Sequence, residues 1–95
     1  MRITVEMSLY PLHGDVLHTI LRFIESISGD PRLEVAVNQM STQIRGELHD
    51  VMEVLTRAMQ SSFSSGGSAA LVVKFLNADL PIKEAPSLRI DIGGD

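Results

Sequence analysis

The side chains with the widest chemical repertoire in this sequence are three histidines, His13, His18 and His49, and a set of neutral hydrogen-bonding groups at Ser8, Tyr10, Asn38, Ser41 and Thr42. Histidines hold zinc when two rings reach one point, as they do four residues apart on a helix. His13 and His18 do not have that spacing and His49 stands far along the chain, so the pattern is that of surface histidines and no metal site is expected. Ser41 has no base beside it in sequence that would activate it as a nucleophile. The absence of cysteine removes thiolate catalysis, thiolate zinc sites and disulfide staples. Gly66-Gly67 and Gly93-Gly94 lack the lysine and the strand–turn–helix setting of a phosphate-binding loop. No catalytic arrangement emerges, no cofactor is implied, and the protein is expected not to be an enzyme.

What remains is the neutral polar set, and its chemistry depends on the elements that position it. Residues 3–10 alternate without a fault, with Ile3, Val5, Met7 and Leu9 on one side and Thr4, Glu6, Ser8 and Tyr10 on the other, which predicts a half-buried strand ended by Pro11. Asp15 is placed to cap a helix whose apolar face is Val16, Leu17, Ile20, Leu21, Ile24 and Ile27, with Gly29 and Pro31 as the stop. Leu33, Val35 and Val37 alternate again, and an extended run from Met40 to Arg45 follows closely enough for a hairpin. Gly46 is read as the opening of a second helix, with Glu47 and Asp50 in its first turn and a buried stripe of Leu48, Val51, Met52, Leu55, Ala58 and Met59. A Ser- and Gly-rich loop over 61–68 precedes a fourth strand over 69–76.

The order strand, helix, two strands, helix, strand predicts an α+β fold: a ferredoxin-like βαββαβ two-layer sandwich with an antiparallel sheet in the order 4-1-3-2. The expected division is a ligand-binding domain over 1–78 and a C-terminal tail or arm over 79–95, in which Leu88, Ile90 and Ile92 read as a short extra strand or an arm toward a partner subunit. In this topology the end of the first strand meets the start of the third, so Ser8, Tyr10, Ser41 and Thr42 gather at one end of the molecule with Asn38 on the adjoining hairpin. Two readings follow: a small-molecule pocket, or polar residues gathered because turns and caps favour them. Regular strands put Ser8 and Ser41 on the helix-free outer face and Thr42, with Met40 and Ile44, toward the core. The outer face carries Thr4, Glu6, Ser8, Tyr10, Ser41, Gln43, Arg45, Val72, Lys74 and Leu76, an amphipathic set that a second sheet would cover, with Glu6 paired across strands to Arg45 or Lys74.

Composition narrows the partners. The chain has 95 residues, 44% of them hydrophobic, and a formal charge of −4, enough for one small core and short of the basic surface that phosphate backbones require. The third strand, Met40-Ser41-Thr42-Gln43-Ile44-Arg45, lacks the exposed aromatics of single-strand RNA binders, so no nucleic acid is expected. Apolar stretches are broken every few residues and the N-terminus alternates from the start, so neither membrane insertion nor an export signal is expected and a cytoplasmic location follows.

Two stretches carry a likeness. Met7-Ser8-Leu9-Tyr10-Pro11-Leu12 and Met40-Ser41-Thr42-Gln43-Ile44-Arg45-Gly46-Glu47-Leu48-His49-Asp50-Val51-Met52 resemble the thiamine/hydroxymethylpyrimidine-binding YkoF-like family, with its Ser-Leu-Tyr-Pro strand end and its Ser-Thr-x-(Leu/Ile)-x-Gly strand. The resemblance implies a non-catalytic binder of thiamine or its pyrimidine moiety, acting in salvage, transport or sensing. By motif it implies ligand contacts at Ser8, Ser41 and Thr42, to which the topology argument adds Tyr10 and Asn38. The family's namesake carries two such domains in one chain and this sequence carries one, so a homodimer or homotetramer through the sheet face is expected. The competing expectation is a structural or regulatory protein-interaction module with no small-molecule ligand.

Overall fold

The computed structural model describes residues 1–64 and 67–86. Its elements run β1 (Arg2–Pro11), α1 (Val16–Ser28), β2 (Glu34–Val37), β3 (Thr42–Glu47), α2 (Leu48–Ser64) and β4 (Ala69–Leu76). The four strands form one sheet in the order β2-β3-β1-β4 with every neighbouring pair antiparallel, which is the ferredoxin-like arrangement expected from the alternation of periods. The expected extra strand at Leu88, Ile90 and Ile92 lies outside the described residues.

The alternation of β1 decides where the core sits. Ile3, Val5, Met7 and Leu9 are all buried, and they meet Ile44 of β3, Phe23 and Ile27 of α1, and Val51, Val54, Leu55 and Ala58 of α2. At about 25 cal/mol per Å² of apolar surface removed from water, a cluster of this kind is the main term holding so short a chain together. Asp15 caps α1 as expected, its side chain accepting from the His18 amide at 3.1 Å, and Gly29 closes the helix.

Three local readings are corrected. Gly46 does not open α2: it lies inside β3 opposite Ile3, and a Cβ there would stand 2.8 Å from Leu33 Cδ2 and 3.3 Å from the Arg32 carbonyl oxygen. The glycine admits the chain that follows α1 rather than breaking a strand. The α1 stripe is rotated from the expected one, with Phe23 and Ile27 buried while Val16, Leu17 and Leu21 stand exposed. In α2, which starts at Leu48 rather than Gly46, the buried set is Val51, Val54, Leu55 and Ala58, so the stripe includes Val54 and leaves Leu48 and Met52 exposed.

The segment after β4 folds back over one end of the outer face. Thr4 Oγ1 donates to the Ala78 carbonyl at 2.7 Å and accepts from the Leu80 amide at 2.9 Å, which leaves Thr4 buried although its position faces away from the helices. Arg45 joins the same contact, its Nη1 donating to the Leu80 carbonyl at 2.9 Å and its Nε lying 3.0 Å from Asp79. The Thr4–Arg45 end of the outer face is thereby covered from within the chain, and among the described residues nothing covers the part toward Ser8 and Tyr10.

Candidate functional site

The open part of the outer face is built by the end of β1, the β2–β3 hairpin and the middle of β4. Register places Glu6 opposite Gln43 on one side and Lys74 on the other, and Ser8 opposite Val72. The hairpin reverses through Gln39 and Met40, closed by the Asn38 amide donating to the Ser41 carbonyl at 3.0 Å. Asn38 locks this reversal with its own side chain, Oδ1 accepting from the amides of Met40 at 2.9 Å and Ser41 at 3.0 Å, as asparagine does in tight turns.

Two serines then strap the hairpin to β1. Ser8 Oγ donates to the Met40 carbonyl at 3.2 Å, and Ser41 Oγ donates to Glu6 Oε2 at 3.0 Å. The other Glu6 oxygen meets Lys74 Nζ at 3.0 Å. Lys74 first and Ser41 second hold the Glu6 carboxyl below the usual glutamate range, because both donate to the ionised form. The result is a depression of about 240 Å³ lined by Glu6, Ser8, Tyr10, Met40, Ser41 and Lys74, with Met7 and Val72 beside them. It holds the Glu6 carboxylate, fixed by the Ser41 hydroxyl and the Lys74 ammonium, together with the Ser8 hydroxyl and the side chains of Tyr10 and Met40. Met40 is 85% exposed and Tyr10 is 53% exposed, two large side chains that present apolar surface beside the depression.

Of the five residues singled out from sequence, the structure brings Ser8, Tyr10 and Ser41 to this depression and separates the other two. Thr42 pairs with Met7 on the core side of the sheet and is buried, as regular alternation requires. Asn38 spends its acceptor on the hairpin and borders a different hollow, of about 590 Å³, between the outer side of β2 and residues 82–86. Met40 belongs to the turn rather than to the core, contrary to the expected strand start. Glu6 and Lys74 were read from sequence as a cross-strand pair and as nothing more. Their signal was present in the alternation that set Glu6 on the same face as Ser8.

The histidines do not join this site. His13 and His18 border a separate cleft of about 580 Å³ on the helical layer with Asp15, Arg22 and the Ser61–Ser62 end of α2, and His49 lies on α2 beside Met52 and Glu53. Among the described residues no group of three or more His, Cys, Asp or Glu is placed to hold a metal ion, and no helix is long and apolar enough to cross a membrane.

No curated protein matches the chain. Its fold is similar to that of a Streptococcus pneumoniae protein, with TM-score 0.76 and 18% identity over 84% of this chain and 90% of that one. It is also similar to a domain of unknown function from Bacillus cereus, with TM-score 0.69 and 23% identity over 97% of this chain and 84% of that one. A third likeness is to a candidate thiamine biosynthesis/salvage protein from Thermotoga maritima, with TM-score 0.71 and 19% identity over 92% of this chain and 91% of that one. At these identities the structures speak for the fold alone. The family model for the YKOF-related family matches residues 2–75, from the first residue of β1 to within one residue of the end of β4. That span takes in the whole sandwich, both serine straps and the hairpin between them, and the chain belongs to the YKOF-related family.

Proposed function

We propose that this protein binds thiamine or its hydroxymethylpyrimidine moiety without transforming it, in the depression between the end of β1, the β2–β3 hairpin and β4. The observation that carries the reading is that the two sequence motifs of the family resemblance, far apart in the chain, are strapped together by Ser8 on the Met40 carbonyl and Ser41 on the Glu6 carboxylate, beside one depression. Membership of the YKOF-related family and the fold shared with a candidate thiamine biosynthesis/salvage protein support a thiamine-related role.

The chemistry fits an aminopyrimidine edge. Such a ring offers an exocyclic amine as donor and ring nitrogens as acceptors; the depression offers the amine the Glu6 carboxylate and the lone pairs of Ser8 and Ser41, whose own hydrogens are engaged by Met40 and Glu6, and offers the ring nitrogens the remaining Lys74 ammonium hydrogens. Met40 and Tyr10 are flat or flexible apolar surfaces suited to the ring faces. A positively charged thiazolium is compatible with a tyrosine face and with the net charge of −4. At about 240 Å³ the depression is smaller than the roughly 300–1,000 Å³ of enclosed ligand sites. A second copy laid over the outer face would close it, which makes a homodimer or homotetramer part of the proposal.

The other reading, a protein-interaction module without a small ligand, draws on the same exposed Tyr10, Met40 and Val72. Calorimetric titration with thiamine and with hydroxymethylpyrimidine separates the two. Saturable binding is expected from the first reading, and a folded protein that gives no heat with either compound contradicts it.

A further inference from the structure

The hydrogen-bond phase of the sheet identifies which backbone groups of β4 have no strand partner among the described residues. The Leu12 amide donates to the Ser68 carbonyl at 2.9 Å, in the register that pairs Pro11 with Ala69 and Tyr10 with Ala70. In an antiparallel ladder directly bonded pairs recur at every second residue. Ala70, Val72, Lys74 and Leu76 therefore bond to β1, while Ala69, Leu71, Val73 and Phe75 direct their amides and carbonyls to the open side of β4. The same phase holds across the sheet: the Leu48 amide donates to the Met1 carbonyl at 2.9 Å, so the odd residues of β1 serve β3 and the even ones serve β4.

The two sheet edges differ. β2 is four residues long, and residues 82–86 lie close to it around a shared hollow. β4 is eight residues long, reads Ala-Ala-Leu-Val-Val-Lys-Phe-Leu, contains no proline, and is the last strand of the sheet among the described residues. Long, apolar, unbroken edges of this kind pair with another strand unless something blunts them. The one charge on β4, Lys74, does not guard the edge, because it is turned onto the outer face and held by Glu6 at 3.0 Å.

We infer that β4 pairs antiparallel with β4 of a second copy about a twofold axis at Val72, joining two four-stranded sheets into one of eight strands. Among the twofold registers that keep the hydrogen-bond phase, this one pairs the most outward-facing residues of β4. It uses all four outward-facing residues, setting Ala69 opposite the partner's Phe75 and Leu71 opposite the partner's Val73, so the largest side chain of the edge meets the smallest and two aliphatic side chains meet each other on the inner face. Phe75, 53% exposed in one copy, gains a neighbour. On the outer face the two Val72 side chains, each 55% exposed, meet in a non-bonded pair, where strands approach most closely. Charges do not collide: the two Lys74 side chains sit four residues apart along the ladder, about 14 Å, beyond the roughly 8 Å screening length of physiological salt. Each also carries its own Glu6 counter-ion. The contact is separate from the sheet-face assembly proposed above and does not depend on ligand binding.

The test is amide hydrogen exchange on the intact protein, read residue by residue, with its mass measured by sedimentation. The expected result is exchange of Leu71, Val73 and Phe75 slowed at least 100-fold below the unstructured rate, as for Val72 and Lys74, in a particle of two or more chains. A dimer joined only through outer faces leaves those amides exchanging freely, and that result overturns the inference. So does a monomeric mass, or protection in a particle of monomeric mass, which would give the edge to another segment of the same chain. Val73→Pro adds a second readout, since it removes an outward amide and leaves the bonds to β1 in place. It is expected to halve the mass with an unchanged circular dichroism spectrum, and an unchanged mass overturns the inference. The exchange measurement needs no variant and decides the question even if Val73→Pro fails to fold.

Discussion

At the scale of single residues, the site separates side chains that look alike in sequence. Ser41 and Thr42 are neighbours with the same hydroxyl chemistry, yet one reaches Glu6 on the outer face and the other is buried against the core. Asn38, three residues earlier, is a turn residue: its carbonyl oxygen serves the Met40 and Ser41 amides. Replacing it with alanine is expected to cost about 1 kcal/mol of folding stability through these lost bonds, seen as a lower midpoint in urea, while ligand affinity changes less than for Ser41→Ala. Equal losses of affinity would make Asn38 a ligand contact after all. Strand alternation alone makes Ser8, Tyr10 and Ser41 legible as outer-face residues. It puts Glu6 on the same face without fixing its partner, because which of Arg45 and Lys74 takes the carboxylate depends on where residues 77–82 fold. That segment claims Arg45 for Asp79 and Leu80 and leaves Lys74 to Glu6.

At the scale of elements, periodicity carried most of the fold, and the exceptions have local causes. The boundary between β3 and α2 was misread because glycine commonly marks a helix end, whereas Gly46 is there to admit Leu33. Gly46→Ala is expected to destabilise the protein by about 1–3 kcal/mol, since the added methyl overlaps a side chain and crowds a backbone carbonyl. A thermal midpoint equal to that of the parent would contradict this account of the glycine. The segment between α1 and β2 is tied to α2 by charge: Arg32 reaches Asp30 at 2.8 Å, Glu53 at 2.8 Å and Asp50 at 3.3 Å. Hydrogen bonds from Arg32 hold the Asp30 and Glu53 carboxyls below their usual ranges. A carboxyl depressed on folding adds stability above its ordinary value and loses it as pH falls through the folded one. Stability should therefore drop as pH falls below about 4.5, the ordinary glutamate value, and continue to drop below the aspartate value of 3.8. Arg32→Met should flatten that slope in thermal melts taken across pH 2–6, and a slope as steep as the parent's would remove Arg32 as the cause.

At the scale of the whole molecule, one layer of helices covers one face of the sheet, and the opposite face is left partly to residues 77–82 and partly open. Sequence made this amphipathic face visible, but the fold-back of the chain after Leu76 carried no periodic signal and could be found only in three dimensions. The uncovered half holds the Glu6 carboxylate, two serines and exposed Tyr10 and Met40, and the long β4 edge runs beside it. A depression that a second copy would close, with an edge open to another, suits a site shared between chains. The measurement that bears most directly on the function is calorimetric titration of thiamine, and separately hydroxymethylpyrimidine, into the parent protein, Ser41→Ala and Thr42→Val. The account predicts saturable binding to the parent, a loss of roughly tenfold or more with Ser41→Ala, equivalent to at least about 1.4 kcal/mol, and parent-like affinity with Thr42→Val. Binding that survives Ser41→Ala and fails with Thr42→Val would put the ligand on the other side of the sheet and contradict it.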